Sequence, residues 1–259
     1  MQFLKNFIFD FDKIFLSGRI KRKRIKLYID KTISQISEDH GWIITTHYSK
    51  NQNDHLSLLC DLYGSDKGES REGGHPYAWA SHSYSDYYSR MFWRSRTSVT
   101  KVFECGIGTN NPNLPSTMGS GGKPGASLRV WRDYFPNATI FGADIDREIL
   151  FQEDRIRTFY IDQLSPQSIL DFWSLTESKD FDFICDDGLH TFEAGSTLFR
   201  YSIESLSPRG VYVIEDVSIS DLLKYKVFFE QFDYVVDYVT LDRPNLDLGD
   251  NSLVVVRKS

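Results

Sequence analysis

With 259 residues, the chain can hold one large domain with a sizeable core, or one domain and an appendage. Its 41% hydrophobic and 25% charged residues are ordinary for a globular protein, and a net charge of −6 argues against a general polyanion binder, so no nucleic-acid partner is expected. No run of about 18 apolar residues is present to span a bilayer, and three cysteines without metal-ligand spacing or a signal peptide point to a reducing, cytoplasmic setting.

The elements follow in chain order. Phe3, Leu4, Phe7, Ile8, Phe11, Ile14 and Phe15 recur at helical spacing, interrupted by Lys5, Asp10, Asp12 and Lys13, so an amphipathic helix is expected. The basic run Lys21-Arg22-Lys23-Arg24-Ile25-Lys26 follows it. Attachment of residues 1–26 to an anionic membrane surface is one reading; packing on the main domain or on another subunit is preferred, and a homo-oligomer is expected. Residues 27–62 read mostly as helix, ending near Gly64, which makes 1–62 a helical N-terminal extension. Residues 63–98 are polar and aromatic, too aromatic for a disordered linker, and read as a lid or substrate loop. Within them His75, Tyr77, His82 and Tyr84 are candidate substrate contacts.

A regular pattern begins at residue 99. Strands are expected at Val99–Cys105, Thr139–Ala143, Arg157–Ile161, Phe181–Cys185, Gly210–Ile214, Tyr234–Leu241 and Ser252–Val256. Helices are expected at Ala126–Tyr134, Ser165–Leu175, Phe192–Leu206 and Leu222–Phe232. This alternation predicts a doubly wound α/β fold: a Rossmann-like, mostly parallel, seven-stranded sheet. The last two strands have no helix between them, so an antiparallel closing strand is expected.

The chemistry concentrates at strand ends. Asp186-Asp187-Gly188-Leu189-His190 follows one strand and Glu215-Asp216 another. Ligands of open parallel sheets bind outside the carboxyl ends of the strands, so several carboxylates and a histidine there suit a hard cation with a base beside it. Glu215 and Asp216 can equally hold substrate hydroxyls without an ion. Glu104-Cys105-Gly106-Ile107-Gly108 forms a glycine loop after the first of these strands, but Asn111 stands where a dinucleotide fingerprint has its third glycine, and the next helix begins late. A nicotinamide cofactor is therefore disfavoured. The next strands lead to Asp144-Ile145-Asp146, suited to ribose hydroxyls, and to Asp162-Gln163, suited to an adenine edge.

Over roughly residues 60–257 the chain resembles class I S-adenosylmethionine-dependent methyltransferases, and more narrowly the metal-dependent sugar O-methyltransferases of macrolide and bacterial polysaccharide pathways. The matching segments are Tyr63-Gly64-Ser65-Asp66-Lys67, Phe103–Gly108, Ser127–Trp131, Gly142–Asp146, Asp186–His190 and Gly210–Asp216. The resemblance implies that Glu104, Gly106, Gly108, Asp144, Asp162, Gln163 and Asp186 serve the S-adenosylmethionine side. It implies that Asp187, Glu215 and Asp216 hold Mg²⁺ or a similar cation, with Asp187 and His190 catalytic and His190 the general base. The expected substrate is a sugar hydroxyl on a nucleotide or glycoside. A catechol-like O-methyltransferase and a non-catalytic methyltransferase-like module stay open as alternatives.

Overall fold

The computed structural model describes residues 42–47, 54–70, 76, 77, 79–242 and 248–259. The expected helix over residues 3–15, the basic run and His75 lie outside the described residues. Among the described residues nine strands form one mixed sheet: β1 (Ile43–His47), β2 (Lys101–Cys105), β3 (Thr139–Asp144), β4 (Gln152–Glu153), β5 (Ile156–Tyr160), β6 (Phe181–Asp186), β7 (Leu206–Ile214), β8 (Tyr234–Asp242) and β9 (Ser252–Lys258). Their order is β1-β8-β9-β7-β6-β2-β3-β5-β4. The seven expected strands are all present, and β9 is antiparallel to both β7 and β8, as the missing helix between the last two strands implied.

The two further strands lie at the edges. β1 pairs parallel with β8 and corrects the helical reading of residues 27–62 at this point. Four consecutive β-branched residues, Ile43-Ile44-Thr45-Thr46, favour an extended backbone over a helix. The two-residue strand β4 pairs antiparallel with β5. β7 also starts earlier than its Pro-Arg-Gly turn suggested. The register between β6 and β7 jumps from Phe181↔Leu206 to Phe183↔Val211, and this irregularity lets Pro208 lie within the strand's span.

Six α-helices flank the sheet among the described residues: α1 (His55–Tyr63), α2 (Tyr84–Met91), α3 (Ala126–Tyr134), α4 (Pro166–Thr176), α5 (Phe192–Ser202) and α6 (Ile219–Phe229). Asp54 caps α1 by accepting from the Ser57 N–H at 2.9 Å, and Gly64 closes it in the left-handed region. Ser165 and Thr191 cap α4 and α5 in the same way. Helix α2 corrects the reading of 63–98 as loop throughout. Two apolar clusters cover the two faces of the sheet. One takes Leu56, Tyr88 and Trp131 from α1, α2 and α3. The other takes Phe172, Phe199 and Phe228 from α4, α5 and α6. Cys60, Cys105 and Cys185 are buried free thiols within this packing. No helix among the described residues is long and apolar enough to cross a membrane.

Candidate active site

One line of registered residues crosses the sheet near its carboxyl edge: Ile214 opposite Asp186, Asp186 opposite Cys105, Cys105 opposite Ala143. The backbone ladder runs on into the loops. The Gly106 N–H donates to Ala143 at 2.8 Å, the Asp187 N–H to Cys105 at 2.8 Å and the Glu215 N–H to Asp186 at 2.9 Å. Three loops that carry the expected site residues therefore leave the sheet side by side.

A solvent-open cavity of about 900 Å³ lies along this edge. Gly106, Gly108, Asp144, Asp162 and Gln163 line it, together with Asp187, His190 and Asp216. The sequence expectation that both groups share one edge is met geometrically. Ile145 and Leu164 also line it, and both expose a large part of their apolar side chains. Asp144 accepts from the Ile107 and Asp146 N–H groups, at 2.8 and 2.9 Å, which fixes its carboxylate at the cavity wall.

Three expected cofactor residues are placed differently. Glu104 is fully buried behind the cavity, where its carboxylate accepts from Ser127 and from the Trp131 indole N–H on α3. Gln163 lines the cavity but its amide is committed: Nε2 donates to Asp186 at 2.6 Å and Oε1 accepts from the Leu189 N–H at 2.9 Å. It ties the loop after β5 to the loop after β6. Asp186 faces a second, tight cleft lined by Gly195 and Tyr225.

Asp186 Oδ2 is buried there without a hydrogen-bond partner, and burial pushes its carboxyl up to about 7, against the hydrogen bonds from Gln163 and Gly188. A carboxyl raised above its unfolded value of about 3.9 favours folding at low pH and withdraws that support as pH climbs towards the folded value. Asp186→Asn keeps an acceptor for Gln163 and removes the titration. Denaturant unfolding at pH 5.5 and pH 8 should show the variant flatter in pH, and about 1–3 kcal/mol more stable than wild type at pH 8.

The catalytic candidates meet in the cavity wall. His190 Nε2 lies 3.3 Å from Asp187 Oδ1 and 3.1 Å from Asp216 Oδ2. Ligand atoms of Asp187, His190 and Asp216 all fall within 4.8 Å of one another, a spacing that a single cation can bridge. Burial opposes a charge on His190, but Asp216, Asp187 and Asp186 outweigh it and raise its pKa to about 10. Burial likewise opposes ionisation of Asp187, yet Lys67 and His190 hold that carboxyl below the ordinary range. His190 and Asp216 both have φ near +55°, at 55° and 53°, which non-glycine residues adopt rarely and which clusters at functional sites.

Glu215 adjoins that trio but its oxygens have other partners. Its Oε1 accepts from the Tyr88 hydroxyl at 2.6 Å and its Oε2 is paired with Lys67. Lys67 was legible only as part of a matching segment, and Tyr88 only as part of an aromatic run. Both come from the 63–98 region, whose residues Lys67, His82, Tyr84 and Tyr88 form a wall over the carboxylates. Tyr84 donates to Asp216 at 2.7 Å, and His82 Nε2 stands 3.2 Å from the same carboxylate. Tyr77 is buried with its hydroxyl at Ser81. As substrate contacts, Tyr77 and Tyr84 are thus corrected: both are buried, with their hydroxyls committed inside the protein. The signal that could have found this wall is the i, i+4 spacing of Tyr84 and Tyr88, which puts both phenols on one helical face opposite the adjacent acids Glu215 and Asp216.

This fold, with its acidic strand ends along one open cavity, is the Rossmann-like fold of class I methyltransferases. The chain resembles the macrolide-sugar O-methyltransferases among them, and the named relatives make that resemblance specific. It is 30% identical over 165 residues to the 8-demethyl-8-alpha-L-rhamnosyl tetracenomycin-C 2'-O-methyltransferase of Streptomyces olivaceus, covering 64% of this chain and 38% of that protein. It is 30% identical over 182 residues to the L-olivosyl-oleandolide 3-O-methyltransferase of Streptomyces antibioticus, covering 68% of this chain and 41% of that protein. The chain thus spans well under half the length of these relatives. A similar solved structure is the MycE methyltransferase of the mycinamycin pathway, in complex with Mg, SAH and mycinamycin VI. It has a TM-score of 0.57 and 23% identity, covering 82% of this chain and 56% of that one. No protein-family model matches the chain.

Proposed function

We propose that this chain transfers a methyl group from S-adenosylmethionine to a hydroxyl of a sugar, with a divalent cation and His190 as base. One observation carries the reading: the open cavity and the Asp187–His190–Asp216 cluster share a wall. The relatives named above modify sugars borne by polyketides, which favours a glycoside substrate.

The residues fit both groups. Gly106 and Gly108 would give a close backbone approach for the methionine part, Asp144 would hold the ribose, and Ile145 and Leu164 would offer apolar surface to a flat adenine ring. Asp162 lines the same end, with Oδ1 accepting from the Leu164 N–H at 3.0 Å. The carboxylates of Asp187 and Asp216 are hard oxygen donors of the kind Mg²⁺ prefers, and Glu215 lies next to them. A bound cation of this type makes a coordinated hydroxyl more acidic. Asp187 and Asp216 both meet His190 at Nε2, and with a cation holding those carboxylates this nitrogen would be left to take the hydroxyl proton. The cavity wall would hold the acceptor against the methyl donor, a task of proximity and alignment.

Asp187→Asn keeps the shape but weakens both the cation site and the hold on His190, so its methyl transfer rate is expected to fall by about 10²-fold or more. Chelation with EDTA should abolish wild-type transfer and added Mg²⁺ should restore it. Assays with nucleotide sugars, rhamnosyl glycosides and catechols separate the sugar reading from a small aromatic substrate. Methylation of catechol alone would overturn the sugar assignment. Absence of S-adenosylhomocysteine binding in calorimetry would overturn the enzyme itself.

A further inference from the structure

Lys67 is 2% exposed, an unusual burial for a residue that is almost never fully buried unless paired. Its ammonium lies 2.7 Å from Asp187 Oδ2, against Glu215 Oε2, and 3.7 Å from Glu104 Oε1. It therefore touches acids from the ends of three neighbouring strands, β2, β6 and β7. Burial works against its charge, but Asp187, Glu104 and Glu215 outweigh that and keep it protonated. The backbone around it is fixed as well, with the Lys67 carbonyl accepting from the Ser85 N–H at 2.8 Å.

We infer that Lys67 is a resident cation that neutralises Asp187 and Glu215 when no metal is bound, and that a divalent ion must displace it from those carboxylates to enter. The inference rests on the cation reading proposed above. Every oxygen of Asp187, Glu215 and Asp216 already has a partner: Asp187 has His190 and Lys67, Glu215 has Tyr88 and Lys67, and Asp216 has His190, Tyr84 and His82. A cation that uses Asp187 together with Glu215 meets the ammonium at two of those atoms. Lysine suits this role, because its charge is a compact point on a flexible stem that can swing away without unfolding its loop. When it lets go of Asp187 and Glu215, Glu104 lies within reach as its remaining partner.

The competing view makes Lys67 a scaffold that positions the carboxylates for the ion, and the two views predict opposite signs. Lys67→Met keeps the length of the chain and removes the charge. Mn²⁺ affinity, read by calorimetry and by electron paramagnetic resonance, should rise about tenfold or more in the variant, since a unit positive charge beside the site is gone. Its melting temperature should fall on EDTA addition and recover with Mn²⁺, while that of the wild type barely moves. Weaker or unchanged Mn²⁺ binding by Lys67→Met, where the wild type binds, overturns the inference and leaves the metal reading standing. Mn²⁺ binding by neither protein overturns both. Should Lys67→Met fail to fold, wild-type protein with ¹³Cε-labelled lysine answers the same question, with Lys67→Arg used to assign the signal. The Lys67 signal should shift on saturation with Mg²⁺, and a signal that stays put while Mg²⁺ binds overturns the inference.

Discussion

His190→Ala is expected to slow methyl transfer by about 10²–10⁴-fold, the usual contribution of a positioned general base. The pH profile should change with it. In the metal-free chain Asp216 and Asp187, against the opposing effect of burial, raise the His190 pKa to about 10, so the imidazole keeps its proton at neutral pH and is no base. A divalent cation on the same two carboxylates neutralises the charge that holds the proton. The wild-type rate should therefore rise with pH as His190 deprotonates, and the midpoint of that limb should lie well below 10 when Mg²⁺ is saturating. About a third of the side chain faces solvent, which moderates the shift and gives the proton a way out. In His190→Ala the ascending limb should vanish along with the rate. Initial-rate measurements from pH 5.5 to 10 in both proteins check this, and an alanine variant with the wild-type limb would assign the base elsewhere.

Gly106→Ala should be the most damaging glycine-to-alanine change among the described residues. Gly106 has φ +86°, and a Cβ there would stand 1.9 Å from the Asp187 carbonyl oxygen, 2.5 Å from its carbon and 2.8 Å from the Gly188 Cα. All three are backbone atoms of the loop that carries Asp187 and His190, so the clash cannot be relieved by turning a side chain. The left-handed conformation alone costs alanine about 1 kcal/mol, and moving the loop brings the loss to about 3 kcal/mol or more. For a chain of this size that is roughly 6–12 °C in melting temperature. S-adenosylhomocysteine affinity and methyl transfer should fall together, because the displaced loop borders the cavity and holds the base. Gly119→Ala is the control: φ there is +64° but nothing lies within 4 Å of the new carbon, so only the conformational cost of about 1 kcal/mol should appear in thermal melts.

The parts of this architecture that were legible in the sequence are those with a strong local signal. Helix α3 is bounded as expected, and the central strands run within a residue or two of their apolar stretches. The acids at the strand ends could be brought to one edge because parallel strands in register align their carboxyl ends. What escaped has a physical reason in each case. The edge strand β1 is marked only by β-branched residues, without the alternation of a half-buried strand. Asp186 and Asp187 face opposite ways because a one-residue step along a strand reverses direction, whereas Glu104, whose partner in the register is Gly142, shares a face with Asp144 and differs in being set back from the strand end. Sequence position identifies the acid but not which of two neighbours reaches the cavity. The wall residues Lys67, Tyr84 and Tyr88 make their decisive contacts with partners about 120–148 positions away, beyond any periodicity.

Tyr88 joins two parts of the protein that are usually separate. Its ring packs edge-on against Trp131 and Phe183, each with centroids 5.4 Å away, in the middle of one apolar cluster. Its hydroxyl holds Glu215 at 2.6 Å. The molecule has no soft working surface carried on a hard frame at this point, since one side chain belongs to both. Loosening of the interior on this side is therefore expected to cost Glu215 its phenol partner in the same motion, coupling the site to the melting of the fold.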